Sequence, residues 1–105
     1  STMGMLDQVK QAMQMRKEAK RLQAEVEKIS CSYNNGGISI TARGDFSITQ
    51  VKISDEALEE IKAGKPERFE TMLKNVITAV LGQVKERSQQ LMQQAMKEGN
   101  LPFGK

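Results

Sequence analysis

The stretch Ile29-Ser30-Cys31-Ser32-Tyr33-Asn34-Asn35-Gly36-Gly37-Ile38-Ser39-Ile40-Thr41-Ala42-Arg43-Gly44 decides the fold of this chain. Ile29, Cys31 and Tyr33 alternate with Ser30 and Ser32, a period of two that only a strand can turn into one apolar face. Asn34-Asn35-Gly36-Gly37 then supplies a tight turn. Ile38, Ile40 and Ala42 alternate with Ser39, Thr41 and Arg43, a second strand with one wet face. Gly44-Asp45 predicts the next turn, with Gly44 accepting a positive φ. Phe46 and Ile48 continue the alternation, but Val51 and Ile53 fall in the opposite phase, so a bulge near Thr49-Gln50 is expected to restore the register. Turns this short place three antiparallel strands in meander order.

On either side of this block the period changes. Residues 4–29 and 66–98 read as helices too long for so small a sheet to cover. In the first, Met15, Ala19, Leu22, Val26 and Ile29 step by alternating fours and threes. That is a coiled-coil seam, extended by Ala12 and Met5 and widened by Leu6, Val9 and Met13. In the last, Phe69, Leu73, Val76, Val80, Val84, Leu91 and Ala95 form a second near-heptad stripe, which Ile77 and Leu81 broaden. Between sheet and last helix, Ser54 or Asp55 caps a short helix through Ala57, Leu58 and Ile61 that ends at Gly64. Pro66 then occupies a first helical position. Gly99 stops the last helix, and residues 100–105 form a tail. Methionines near both helix ends (Met5, Met13 and Met15; Met92 and Met96) are expected to fill an antiparallel helix–helix seam. The fold class is therefore α+β: long helix, three-stranded antiparallel meander, short helix, long helix, the helices projecting as arms.

At 105 residues the chain is expected to form a single domain, but four aromatic residues make a thin core. With one cysteine and no histidine, neither an internal disulfide nor an ordinary zinc set is open to it, which leaves self-association as the source of extra burial. Lack of histidine also removes the usual general base, and no nucleophile–base pair can be drawn, so no enzyme, cofactor or small-molecule substrate is expected. No apolar run approaches the roughly 20 residues that span a bilayer, and residues 1–30 are charged throughout, unlike a signal peptide. A reduced, cytoplasmic setting without membrane attachment is the expectation. Ser1 and Thr2, ahead of Met3, carry no weight.

Net charge is only +3, so distribution matters more than the total. Residues 10–21 hold Lys10, Arg16, Lys17, Lys20 and Arg21 against Glu18 alone. Residues 54–60 hold Asp55, Glu56, Glu59 and Glu60, an exposed helix start rather than a metal site. An anionic partner would choose the first region. Several features have plain readings: Cys31 is a small strand residue, Arg43-Gly44-Asp45 is turn chemistry rather than an adhesion signal, and Gly36-Gly37 precedes a strand and so is no phosphate cradle.

From Gly37 to Leu58, glycine turn, alternating strand, second glycine turn and Val51-Lys52-Ile53-Ser54-Asp55-Glu56-Ala57-Leu58 follow one another in an order that resembles the YbaB/EbfC family of bacterial nucleoid-associated DNA-binding proteins. The likeness extends over essentially the whole chain. Arg43-Gly44 stands where the family often has Asn-Gly, a departure expected to alter the turn alone. The resemblance implies a homodimer whose long helices project as paired arms and bind double-stranded DNA with broad sequence preference. It also implies nucleoid association, with influence on transcription or repair. Carried over by position, the DNA-binding residues are Lys10, Arg16, Lys17, Lys20 and Arg21 on the first helix and Lys85, Arg87 and Lys97 on the last. Gln89, Gln90, Gln93 and Gln94 lie beside the second group. The competing reading is a protein-interaction clamp whose arms hold a partner protein, with the charges as a solvated face.

Overall fold

The structure is a computed structural model that describes residues 4–99. The expected tail and the two residues ahead of Met3 lie outside that range. Helix α1 (Met5–Glu27) leads into strands β1 (Ser30–Asn35), β2 (Ile38–Arg43) and β3 (Ile48–Ile53), then α2 (Asp55–Lys62) and α3 (Pro66–Lys97). The sheet is antiparallel in the order β1-β2-β3, the expected meander.

Its register follows from the two turns. Gly36 and Gly37 sit at φ 62° and 84° between Asn35 and Ile38, which pair directly. Two successive positive φ values give a hairpin turn whose twist matches the strands it joins. The β2–β3 pairing runs from Ile38 with Ile53 to Thr41 with Gln50, then jumps to Ala42 with Ile48. Thr49 is the residue left over, and its hydroxyl donates to the Thr41 carbonyl at 3.4 Å. The bulge inferred from the phase change is real, and it returns Ile48, Val51 and Ile53 to the face that carries Ile38, Ile40 and Ala42.

The second turn differs from expectation in its cause. Gly44 has no positive φ; that conformation falls on Phe46, at φ 66°. Asp45 holds the turn by accepting from the Ser47 hydroxyl at 2.5 Å and the Ser47 amide at 3.0 Å. These bonds hold the Asp45 carboxyl below the usual carboxylate range, the hydroxyl bond contributing most. Gly44 is required for a different reason. It is buried, its amide donates to the Ile29 carbonyl at 3.0 Å, and a Cβ there would collide with the Val26 carbonyl group of α1. The hairpin thus docks on the end of α1, and the Arg43 guanidinium adds a bond to the Glu27 carbonyl at 3.3 Å.

Helix α2 starts at Ser54, whose hydroxyl accepts from the Ala57 amide at 3.1 Å, and α3 starts with Pro66 in its first turn. Arg68 ties the two helices by reaching both oxygens of Glu60 at 3.0 and 2.9 Å. Helix α3 lies across β1 and β2. Val76, Val80 and Val84 are fully buried there against Ile38, Ile40, Ala42, Cys31 and Ile29. Side chains four residues apart stack on one helical face, and that face is the core.

Beyond the sheet, α3 runs on beside the C-terminal half of α1. Leu22 and Glu25 line a groove with Leu91, Gln94 and Ala95, and Arg21 and Glu98 close its end. The last turn of α3 meets α1 at Arg21 and Leu22. Residues 5–17 project past it by roughly 20 Å of unsupported helix. The molecule measures 75 × 19 × 16 Å, with a radius of gyration of 20.9 Å against the ~13 Å of a compact chain this size.

Two expectations about burial fail for this reason. The N-terminal methionines do not fill a seam with α3: Met5 and Met13 are 81% and 65% exposed, because α3 ends before it reaches them. Nor do Leu6, Val9 and Met13 widen the seam, since they point away from it.

Candidate nucleic-acid interface

Leu22 fixes which way each side of α1 faces, because it is the helix's one buried residue and packs toward α3. Turning about 100° per residue from Leu22 brings Met13 to the opposite side of the helix. Arg16 and Lys20 lie to one side of that outward line; Lys10, Lys17 and Arg21 lie to the other. All five fall within about 80° of it. The cations nominated from sequence on the first helix thus share one outward face, and each is exposed.

Their pairing differs. The Arg21 guanidinium sits 3.1 Å from Glu18, which also accepts from Gln14 at 3.2 Å. Among the described residues, Lys10, Arg16, Lys17 and Lys20 have no carboxylate within ion-pair distance. Exposed ion pairs such as Arg21–Glu18 are worth little and dissolve readily in favour of a better anion. The outward face is therefore a band of exposed cations, with Arg21 at its edge paired to Glu18 on the inner side of the helix. Charge placed this way meets an extended polyanion without crossing any acidic surface of its own.

The candidates on α3 do not gather in the same manner. Lys85 stands about 180° round the helix from the buried Val76 and faces solvent. Arg87 turns into the crevice between the arms, beside Glu25, Lys28, Ile29, Gln90, Leu91 and Gln94. Lys97 occupies the last turn, where a cation complements the helix dipole. The structure brings together the α1 set and disperses the α3 set.

Sequence reasoning missed one property of the outward face. Leu6, Val9 and Met13 lie within about 40° of its centre line, and they are 69%, 49% and 65% exposed. The signal was present in the spacing: Leu6 and Met13 stand 16 and 9 residues before Leu22, which puts both on the far side of the helix from it at either 3.5 or 3.6 residues per turn.

A second exposed apolar surface lies at the other end of the molecule. Helix α3 leaves β3 largely uncovered. Ile48, Val51 and Ile53, on the core-facing side of the sheet, are exposed together with Phe46, Leu58 and Ile77. No helix among the described residues is long and apolar enough to cross a membrane. No group of three acidic, histidine or cysteine side chains among them gathers to hold a metal ion.

A small antiparallel sheet, a projecting cationic helical arm and an exposed apolar edge strand are what the described residues assemble, and an extended anion is what the arm suits. The chain belongs to the YbaB/EbfC DNA-binding family, whose model matches residues 2–100. Membership carries DNA binding and nucleoid association as the class of function. No curated protein matches the chain.

Proposed function

We propose that the protein is a homodimer that grips duplex DNA with broad sequence preference through the outward faces of its α1 arms. The observation that carries this reading is the cluster Lys10, Arg16, Lys17 and Lys20, free of carboxylate partners on a helix that projects beyond its own core. Contacts to phosphate supply affinity without reading sequence, which accounts for breadth. Lys85 and Lys97 are exposed and extend the same attraction along α3.

The second copy belongs on β3. An edge strand whose core-facing side chains Ile48, Val51 and Ile53 stand in water is an unfinished core, and an unpaired edge invites another strand. Leu58 and Ile77 add to the apolar area that a partner would cover. Pairing two copies there gives a molecule with two cationic arms, so each duplex meets twice the charge. In the cell this reading corresponds to nucleoid organisation, with effects on transcription or repair following from occupancy of the chromosome.

The test is fluorescence anisotropy of a labelled random-sequence duplex at about 50 and about 200 mM salt. Two arms that neutralise six or more phosphates lose on the order of 10³-fold in affinity across that range. Light scattering gives the mass of the protein beforehand. Replacing Lys17, Lys20 and Arg21 together by Ala weakens binding to every sequence and flattens the salt dependence, the mass staying that of a dimer. A folded triple variant with unchanged affinity removes α1 from the interface. A wild-type dimer that fails to bind at the lower salt overturns the reading.

A further inference from the structure

Two rows of cations run along α1, and they end differently. Arg16 and Lys20 share a side of the helix with Glu27, so that row meets a carboxylate where the arm joins the body. Lys10, Lys17 and Arg21 form the other row, and Lys28, seven residues past Arg21, continues it. At about 100° per residue these four fall within about 40° of one another. The file spans roughly 27 Å along the helix axis. It ends at the crevice between α1 and α3, where Lys28 stands with Arg87, Gln90 and Gln94.

We infer that this crevice seats a backbone phosphate of the bound duplex, held between the Lys28 ammonium and the Arg87 guanidinium. The inference rests on the DNA-binding reading and adds to it a contact at the root of the arm, with Lys28 as a binding residue. Arg87 is exposed and, among the described residues, has no carboxylate within ion-pair distance, although Glu25 lines the same crevice. Glu25 pairs with Lys28 instead, at 3.9 Å, a long and solvent-exposed contact that contributes little. The planar fork of guanidinium donors is therefore open to another acceptor, and two oxygens of a phosphate match it. Gln90 adds an amide donor at the rim, whereas the Gln94 amide donates to Glu98 at 2.9 Å. Lys28 and Arg87 against Glu25 leave the crevice with one net positive charge. A free phosphate compound offers the same oxygens. Continuity with a 27 Å file of cations, which an extended polyanion spans and a small anion does not, assigns the place to the duplex. The duplex then lies along the arm as far as the body of the protein, and Glu25 repels the phosphate that its neighbours attract.

The experiment measures anisotropy of the labelled random-sequence duplex at about 50 and about 200 mM salt for the full chain and three variants, with circular dichroism and mass as checks of fold and assembly. For Lys28→Gln/Arg87→Gln, binding is expected to weaken at the lower salt. The loss of affinity between the two salts shrinks by about 3.5-fold for each phosphate contact removed. Glu25→Gln is expected to bind more tightly than wild type at the lower salt. Lys62→Gln/Lys65→Gln removes the same charge at the other end of the molecule and is expected to bind as wild type does. A Lys28→Gln/Arg87→Gln protein with wild-type affinity and salt dependence overturns the inference and leaves the DNA reading standing. An equal loss in Lys62→Gln/Lys65→Gln assigns the effect to total charge, and Glu25→Gln that binds no tighter removes the phosphate from its side; either also overturns the inference. So does inorganic phosphate that raises the Tm of wild type but not of Lys28→Gln/Arg87→Gln while both bind duplex equally, because the crevice then holds a free anion. Failure of the wild type to bind the duplex overturns the underlying reading.

Discussion

Gly44 is the position where replacing one hydrogen by a methyl group is expected to move the arm. A Cβ there would sit 2.7 Å from the Val26 carbonyl carbon and 3.2 Å from its Cγ1, with the carbonyl oxygen closer still. Backbone cannot rotate out of the way as a side chain can, so either the hairpin or the end of α1 must shift by about 1 Å. Helix α1 is held by Leu22, one turn from Val26, so that shift acts on a lever of about 6 Å and tilts the helix by roughly 10°. Met5 lies about 25 Å on the other side of Leu22, and the tilt carries it about 4 Å. If the structure resists instead, overpacking costs about 1–3 kcal/mol, or a fall of roughly 5–15 °C in Tm for a chain of this size. The Gly44→Ala protein is examined by thermal unfolding and by electron-spin distance measurement between labels at cysteines introduced at Gln8 and Glu67, Cys31 being buried. A variant with wild-type Tm and wild-type label distance would refute the claim that this contact aims the arm.

Four further outcomes are expected. Val80→Asp places a carboxylate at a fully buried position under the sheet, a cost of several kcal/mol that leaves an unfolded chain by circular dichroism; a folded product would mean that the α3 register is wrong. The Ser88 hydroxyl oxygen is buried without a hydrogen-bond partner, so Ser88→Ala should raise stability to urea by up to about 1 kcal/mol, and a loss would reveal a partner. Phe46 sits at φ 66°, where Asn is better tolerated, so Phe46→Asn should gain about 1 kcal/mol in the stability of the isolated subunit, read by urea unfolding of the dilute protein. The Asp45 carboxyl titrates below the ordinary aspartate range because Ser47 donates to its charged form. Its folded value lies below its unfolded value, so the turn's contribution is present above about pH 4 and is lost as pH falls through the folded value. By NMR, Ser47→Ala should bring the Asp45 midpoint up toward that ordinary range, and no movement would assign the shift to another cause.

Most of the sheet was legible in the sequence because its information is local. Alternation fixes faces, Gly36-Gly37 fixes the turn, and the phase break between Ile48 and Val51 demanded one extra residue, which is Thr49. Ser54 and Pro66 mark helix starts through bonds or constraints within one turn of themselves. What local patterns could not supply was where α3 stops relative to α1. That single long-range relation decides that Leu22 is buried while Met13 is not. Gly44 is the converse case: the sequence showed a turn glycine, but its necessity comes from Val26, distant in the chain. The cations of α1 were legible as a cluster on the side away from the Leu22 seam, at 3.5 or 3.6 residues per turn; what the sequence did not show is that α3 stops short and leaves that side projecting.

The arm beyond α3 has one further consequence, in its own thermodynamics. Residues 5–17 form about as many turns as an isolated peptide can barely hold in water. They escape the nucleation penalty because the helix propagates outward from its packed half, yet no tertiary contact favours each added residue. At the far end Gly4 provides no side-chain cap. Helix content should therefore decline toward the tip, and amide hydrogens there should exchange with solvent long before those of the sheet. A ligand that seizes the arm must first complete the helix, so its binding enthalpy grows more negative, and its entropy less favourable, the warmer and more frayed the free arm is.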